Sequence, residues 1–201
     1  MYSDPAVLTN LRRRDLAAGL AATLKIGLAH DSVLFERLEQ CCGEVLDESK
    51  PDTLHHLVRH ASTSRLANIQ HKGRDLGVPF AHALEATCRY SGVLHGEALA
   101  WGIALATGIS ANRRLMNEVM VERVLGLLVA CEVVRELPAP LLRQAIDSMD
   151  LGQRGTMVLP VTIGTVTDAI KPSVADAYAA LDMVRQHPAF CDLRPNFRNA
   201  A

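Results

Sequence analysis

The sequence has no excess of charge, no apolar run long enough to span a bilayer, few aromatics and no paired-cysteine motif, and each absence removes a class of function. Lys and Arg number 21 against 22 Asp and Glu, a formal net charge of -1. The long-range field that gathers proteins onto nucleic acid or anionic lipid is therefore missing, and neither nucleic acid nor membrane is expected as a partner. No stretch of about 18 apolar residues occurs. The N-terminus Met1-Tyr2-Ser3-Asp4-Pro5 has neither the basic nor the apolar part of a secretory leader, so a cytoplasmic location is expected. Five cysteines (Cys41, Cys42, Cys88, Cys131, Cys191) are an odd number without a CxxC pair. They fit reduced thiols, mostly in the core, better than a disulfide frame or a zinc knuckle. The signatures GxGxxG, GxxxxGK[ST] and GxSxG are absent too, which removes the common nucleotide and hydrolase readings.

What remains is 201 residues, 49% hydrophobic but only 4% aromatic, which suits one compact domain. From Leu11 to Leu38 apolar residues recur at three- and four-residue intervals (Leu16, Leu20, Leu24, Leu28) among alanines, which predicts a helical opening. A second helix is predicted from Pro51 and Asp52 through Leu54, Leu57, Val58 and Ala61. It carries His55, His56 and His60, of which His56 and His60 stand i,i+4 on one face. Nothing nearby supplies an obvious third ligand, so they are not read as a metal site.

Gly73 to Pro79 breaks the pattern. A helix is predicted over Phe80 to Tyr90, then a Ser91-Gly92 turn and a longer helix opening at His95, whose run to Gly108 is nearly without charge and must be buried on most sides. Further helices are predicted around Glu118 to Val134, Ala139 to Met149 and Ser173 to Gln186, punctuated by Pro138, Pro140 and Pro172. Thr156 to Ile163 is the one strand-like segment, its Pro160 arguing for an edge or a bulge. The fold class is mainly α with a short β segment near 156–164, organised as one helical domain over 1–186 and a tail over 187–201.

The turn between two helices brackets two histidines. His82 precedes Glu85 by one helical turn, and a short connection holds it near His95 and Glu97 at the next helix start, where backbone N–H groups and the dipole favour anions. Neutral imidazoles beside a carboxylate are suited to moving protons at neutral pH.

Phe80-Ala81-His82-Ala83-Leu84-Glu85-Ala86, then Tyr90, then Leu94-His95-Gly96-Glu97-Ala98-Leu99-Ala100-Trp101-Gly102-Ile103, resembles the GHAIEA…Y…LHGEAVAxGM signature of 3-dehydroquinate synthase and related sugar phosphate cyclases. Asp15 to Leu28 is similar to that family's xGLAEVIKxGLI helix, and Gly155 to Gly164 to its GxxxxVLPxxIG segment. The resemblance implies the fold of the family's helical C-terminal domain. It also implies a nucleotide-binding α/β domain ahead of it, which is not expected here because the sequence starts just before the GLAE-like helix.

The family's metal is held by the Glu of GLAE, the first His of NFGHTxGH and the His of HGE. Those positions read Ala22, Val78 and His95. Alanine and valine do not ligate metals, so no metal and no other cofactor is expected. The Asn of NFGH is Asp75, the upstream Arg falls near His71, and the downstream DKK is reduced to Asp150. A phosphate pocket would lose cations and gain an acid, which argues against a phosphorylated sugar. Lys25, His82, His95 and Glu97 persist.

Two functions follow as expectations. The first is a cofactor-independent lyase or cyclase acting on a small biosynthetic intermediate. Catalytic roles go to His82, His95 and Glu97, and substrate-binding roles to Lys25 (for an anionic group), Asp75 and His71, with Asp75 or Glu97 orienting an imidazole. The second is a non-catalytic subunit that binds a separate protein partner. Homo-oligomerisation, as a dimer, is expected under both, because the face a preceding domain would cover is apolar. A new metal site from His82, His95 and Glu85 or Glu97 is a third possibility by ligand type.

Overall fold

The computed structural model describes residues 8, 10–47, 50–68, 70–151, 155–191 and 193. The chain folds around one helix, α5 (His95–Asn112), in which every residue from Gly96 to Ser110 is buried. This is the uncharged stretch of the sequence, and burial on all sides is what such a composition requires. Around it pack α1 (Arg13–His30), α4 (Val78–Thr87), α6 (Glu118–Ala130) and α8 (Val174–Gln186). α2 (Ser32–Val45) and α3 (Pro51–Ala67) form an outer layer on α1, and α7 (Ala139–Asp147) bridges α4 and α8. The mainly α fold predicted from periodicity is the one observed.

The helical opening is two helices. Asp31 ends α1 and caps α2 by accepting the Leu34 N–H at 2.9 Å, and its carboxylate also meets His60 Nε2 at 3.2 Å. A side-chain acceptor at that point satisfies an N–H the helix cannot, so the chain turns although apolar periodicity continues across it. Asn117 caps α6, and Ser173 with Asp176 forms a reciprocal capping box on α8.

The third helix begins at Pro51, as expected. The fourth begins at Val78, two residues earlier than Phe80, because Pro79 sits in its first turn, where a missing N–H costs nothing. A 3-10 turn, Lys72–Asp75, precedes it. The approach of α4 to α5 is closed by glycine on both sides. A Cβ on Gly102 would lie 2.0 Å from the Gly77 carbonyl oxygen, and Gly77 itself has φ +75°.

The strand-like segment is shorter than predicted. β1 (Pro160–Thr162) pairs antiparallel with β2 (Thr165–Val166) through a turn at Gly164, while Met157 bridges to Ile170. Pro160 opens the strand rather than interrupting it, a position where its lost donor is tolerated. The packed body extends past residue 186: α9 (Pro188–Cys191) brings Phe190 edge-on to Trp101, ring centroids 5.5 Å apart. Most of the remaining tail lies outside the described residues.

Of the cysteines, Cys131 is buried, Cys41, Cys42 and Cys88 are half-buried and Cys191 is exposed, and all five are free. Among the described residues no helix is long and apolar enough to cross a membrane.

Candidate functional site

His82 lies on the exposed face of α4, and His95 is the first residue of α5. The two rings stand 6.3 Å apart, centroid to centroid. One helical turn after His82, the largely buried Glu85 places its Oε1 3.1 Å from His95 Nδ1. The structure therefore assembles two imidazoles and one carboxylate at the α4–α5 corner. A carboxylate can only accept, so this contact fixes the proton of a neutral His95 on Nδ1 and leaves Nε2 with a free lone pair.

The carboxylate that reaches His95 is Glu85 rather than Glu97. Glu97, its side chain 6% exposed, faces the other way. Arg14 Nε and Nη2 donate to its two oxygens at 2.6 and 2.8 Å, and the Leu94 N–H donates to Oε2 at 2.9 Å. With its lone pairs used in this way Glu97 holds the start of α5 and is not oriented on an imidazole. A carboxylate in an otherwise apolar helix needs a cation, and that need was the sequence signal that could have pointed to Arg14.

His95 lines an open cleft of about 330 Å³ with the preceding Leu94, with Gly96 and Leu99 of α5, and with Asp15, Ala18, Gly19 and Ala22 of α1. Lys25 follows Ala22 by one turn on the same face of α1. Its Nζ donates to the Arg74 carbonyl at 3.0 Å. Burial, and next the charge of Arg65, hold its pKa below the ordinary lysine value.

Asp75 and His71 sit on the 3-10 turn that Lys25 braces. Asp75 is exposed and meets Arg74 at 3.5 Å. His71 Nδ1 accepts the Gly73 N–H at 3.0 Å, and its ring lies 4.9 Å from that of His30. Both support the turn, and no contact joins either to His82 or His95. The helix-borne trio is likewise separate, with His60 engaged by Asp31. A larger cavity of about 520 Å³ lies between the start of α1 and the α2–α3 junction, lined largely by Leu8, Leu16, Val45 and Leu54. Its Arg13 is engaged by Glu132 and the Leu46 carbonyl.

A resident metal does not fit this donor set. Ala22, which lines the cleft with His95, offers only a methyl group, and Val78 opens α4 with an aliphatic side chain. Among the described residues no group of three or more His, Cys, Asp or Glu is arranged to hold a metal ion. His82, His95 and a glutamate are not such a group.

Comparison with known proteins agrees with this architecture. A family model described as the 3-dehydroquinate synthase C-terminal domain matches residues 19–151. A 3-dehydroquinate synthase of Thermoanaerobacter sp. (strain X514) is 33% identical over 136 residues, covering 64% of this chain and 38% of that protein. One of Solibacter usitatus (strain Ellin6076) is 29% identical over 183 residues, covering 83% and 50%. The chain thus spans half or less of these relatives. Among solved structures, ValA, a 2-epi-5-epi-valiolone synthase of Streptomyces hygroscopicus subsp. jinggangensis 5008 solved with NAD+ and Zn2+ bound, superposes with TM-score 0.77 at 26% identity. The match covers 91% of this chain and 54% of that one. A 2-deoxy-scyllo-inosose synthase shares the fold, with TM-score 0.73 at 17% identity and coverage of 89% and 54%.

Proposed function

The chain belongs to the 3-dehydroquinate synthase C-terminal family, and from that premise we propose that it is a metal-independent acid–base catalyst, a lyase or cyclase in reaction type, acting on a small biosynthetic intermediate. The observation that supports this reading is the contact between Glu85 Oε1 and His95 Nδ1 at 3.1 Å, with His82 across from it. Glu85 fixes the tautomer, so Nε2 of His95 is the base. It takes a proton from a C–H or O–H group of the substrate, and Glu85 stabilises the imidazolium that forms. His82 donates to, or receives from, a second atom of the same small molecule. Each such group contributes on the order of 10²–10⁴ in rate, which suffices for elimination or ring closure of an already activated substrate. Lys25 stands about one turn beyond the cleft-lining Ala22 on α1 and serves an anionic group of the substrate. Asp75 and His71 support the turn on which Lys25 rests and are not assigned substrate contacts.

The test is metabolite profiling of a deletion strain of the native host complemented with the wild type, His82→Ala, His95→Ala, the double variant or Glu85→Gln, with soluble expression confirmed for each. Loss of one product in the histidine variants supports the reading. Full rescue by the double variant overturns it in favour of a subunit that works by binding a partner protein.

A further inference from the structure

We infer that Arg14 is a positioning residue for His95 and acts on it through Glu97. The consequence for turnover rests on the acid–base reading above, whereas the geometry does not. A carboxylate as buried as that of Glu97 is stable only when paired and hydrogen-bonded. Arg14 supplies both, with two parallel donors at 2.6 and 2.8 Å. Its Nη2 also donates to the Gly92 carbonyl at 3.0 Å, an oxygen that Arg135 Nη1 reaches at 3.4 Å. One guanidinium on α1 therefore ties together the turn before α5 and the first turn of α5.

His95 lies between these tied points. Leu94 immediately before it is held by its N–H to Glu97, and Gly96 immediately after it lies against the Ala18 main chain, where a Cβ would be 1.9 Å from the carbonyl oxygen. The backbone of His95 is thus fixed relative to α1, while its ring must meet a glutamate carried by α4. The α4–α5 approach is set at Gly77 and Gly102, so loosening the Arg14 fork frees the backbone at His95 against a fixed α4 and lengthens the Glu85–His95 contact. Lysine at position 14 keeps the charge but not the planar two-point fork.

The test reads the ring nitrogens of the eight histidines by 15N NMR on the full chain, with His95 assigned from its disappearance in His95→Gln. In the wild type, neutral His95 carries its proton on Nδ1. In Arg14→Gln the preference for that tautomer should fall by roughly tenfold, the scale of one hydrogen bond to a charged group. Arg14→Lys should be intermediate, with the other imidazoles unchanged. A merely structural arginine would lower the melting temperature and leave the His95 tautomer as it was, and that result overturns the inference. Should Arg14→Gln fail to fold, Arg14→Lys carries the same test. If the tautomer responds but His95→Gln leaves the metabolite profile intact, the positioning role stands and the catalytic reading fails.

Discussion

Gly96 lies directly on the backbone of Ala18: a Cβ at position 96 would stand 1.9 Å from the Ala18 carbonyl oxygen and 2.5 Å from its carbon. The contact lets the first turn of α5 come down onto α1, which is why His95 shares a cleft with Ala18, Gly19 and Ala22. Gly96→Ala has no flexible side chain to push aside, only main chain, and overpacking of this kind costs roughly 1–3 kcal/mol or more. The expected outcome is a clear drop in the urea midpoint with an unchanged slope. Gly19→Ala is the control: it lines the same cleft with nothing within 4 Å of a new Cβ, and should be neutral or stabilising by up to about 1 kcal/mol through helix propensity. Equal losses from the two would contradict the packing argument.

The two glutamates near His95 should separate by phenotype. Glu85→Gln keeps the shape of the side chain but replaces a charged acceptor with a neutral amide. The variant should fold like the wild type and lose on the order of 10²–10⁴ in turnover as the His95 tautomer is released. Glu97→Gln leaves Arg14 without its carboxylate partner in a site closed on the glutamate side. A fully buried pair broken in this way costs about 3–5 kcal/mol, and the half-exposed Arg14 reduces that to roughly 1–3 kcal/mol. Thermal denaturation and product formation, measured together on both variants, check the assignment. A Glu97→Gln protein of wild-type stability would refute the role given to that residue.

Much of this was legible in the sequence. The charge-free run from Gly96 to Gly108 could be stable only as a buried helix, and it is the centre of the fold. The short Ser91-Gly92 turn could only bring His82 and His95 close together, and it does. What periodicity could not show was where Asp31 would cap, because an acid inside an apolar pattern reads equally as a surface charge until Leu34 N–H and His60 are seen to meet it. Nor could it choose between Glu85 and Glu97. Both are near His95 in sequence, and the choice depends on Arg14, which lies 83 residues before Glu97 and becomes its partner only through tertiary packing. Lys25, His71 and Asp75 do converge around one turn, but their contacts there are with the backbone, with Arg74 and with each other's neighbours.

The misfit between the cleft and a metal is open to reversal. Ala22 and Val78 occupy the positions at which the family resemblance places a glutamate and a histidine, and His95 still stands at the third. Ala22→Glu combined with Val78→His should raise bound zinc from well below one per chain to near one, since three protein donors and an open fourth position make a competent zinc site. Metal analysis after dialysis reads the change, and cobalt substitution followed by visible absorption reads the coordination geometry. Stoichiometric zinc already present in the wild type would show that other donors hold it and would remove the metal-independent reading.

His30 gives the protein an acid-sensitive point away from the site. Its two ring nitrogens are buried at the end of α1. Burial, and next the neighbouring His71, hold its pKa below the ordinary histidine value, against the opposing pull of Asp31 and the Ser64 backbone. The charge of Asp31 is shared with His60. In the unfolded chain His30 binds a proton near pH 6.5, whereas in the folded protein it does so only at lower pH. The unfolded state therefore holds more protons between these two values, and stability rises with pH across that window. The contribution is complete above the unfolded value and is lost as pH falls from there toward the folded one. Urea midpoints of the wild type should accordingly decline from pH 7.5 to pH 5, and His30→Gln, which cannot titrate, should show a shallower decline over the same range. Parallel declines would mean that the acid sensitivity lies in other groups and that His30 is protonated as easily in the folded protein as in the unfolded one.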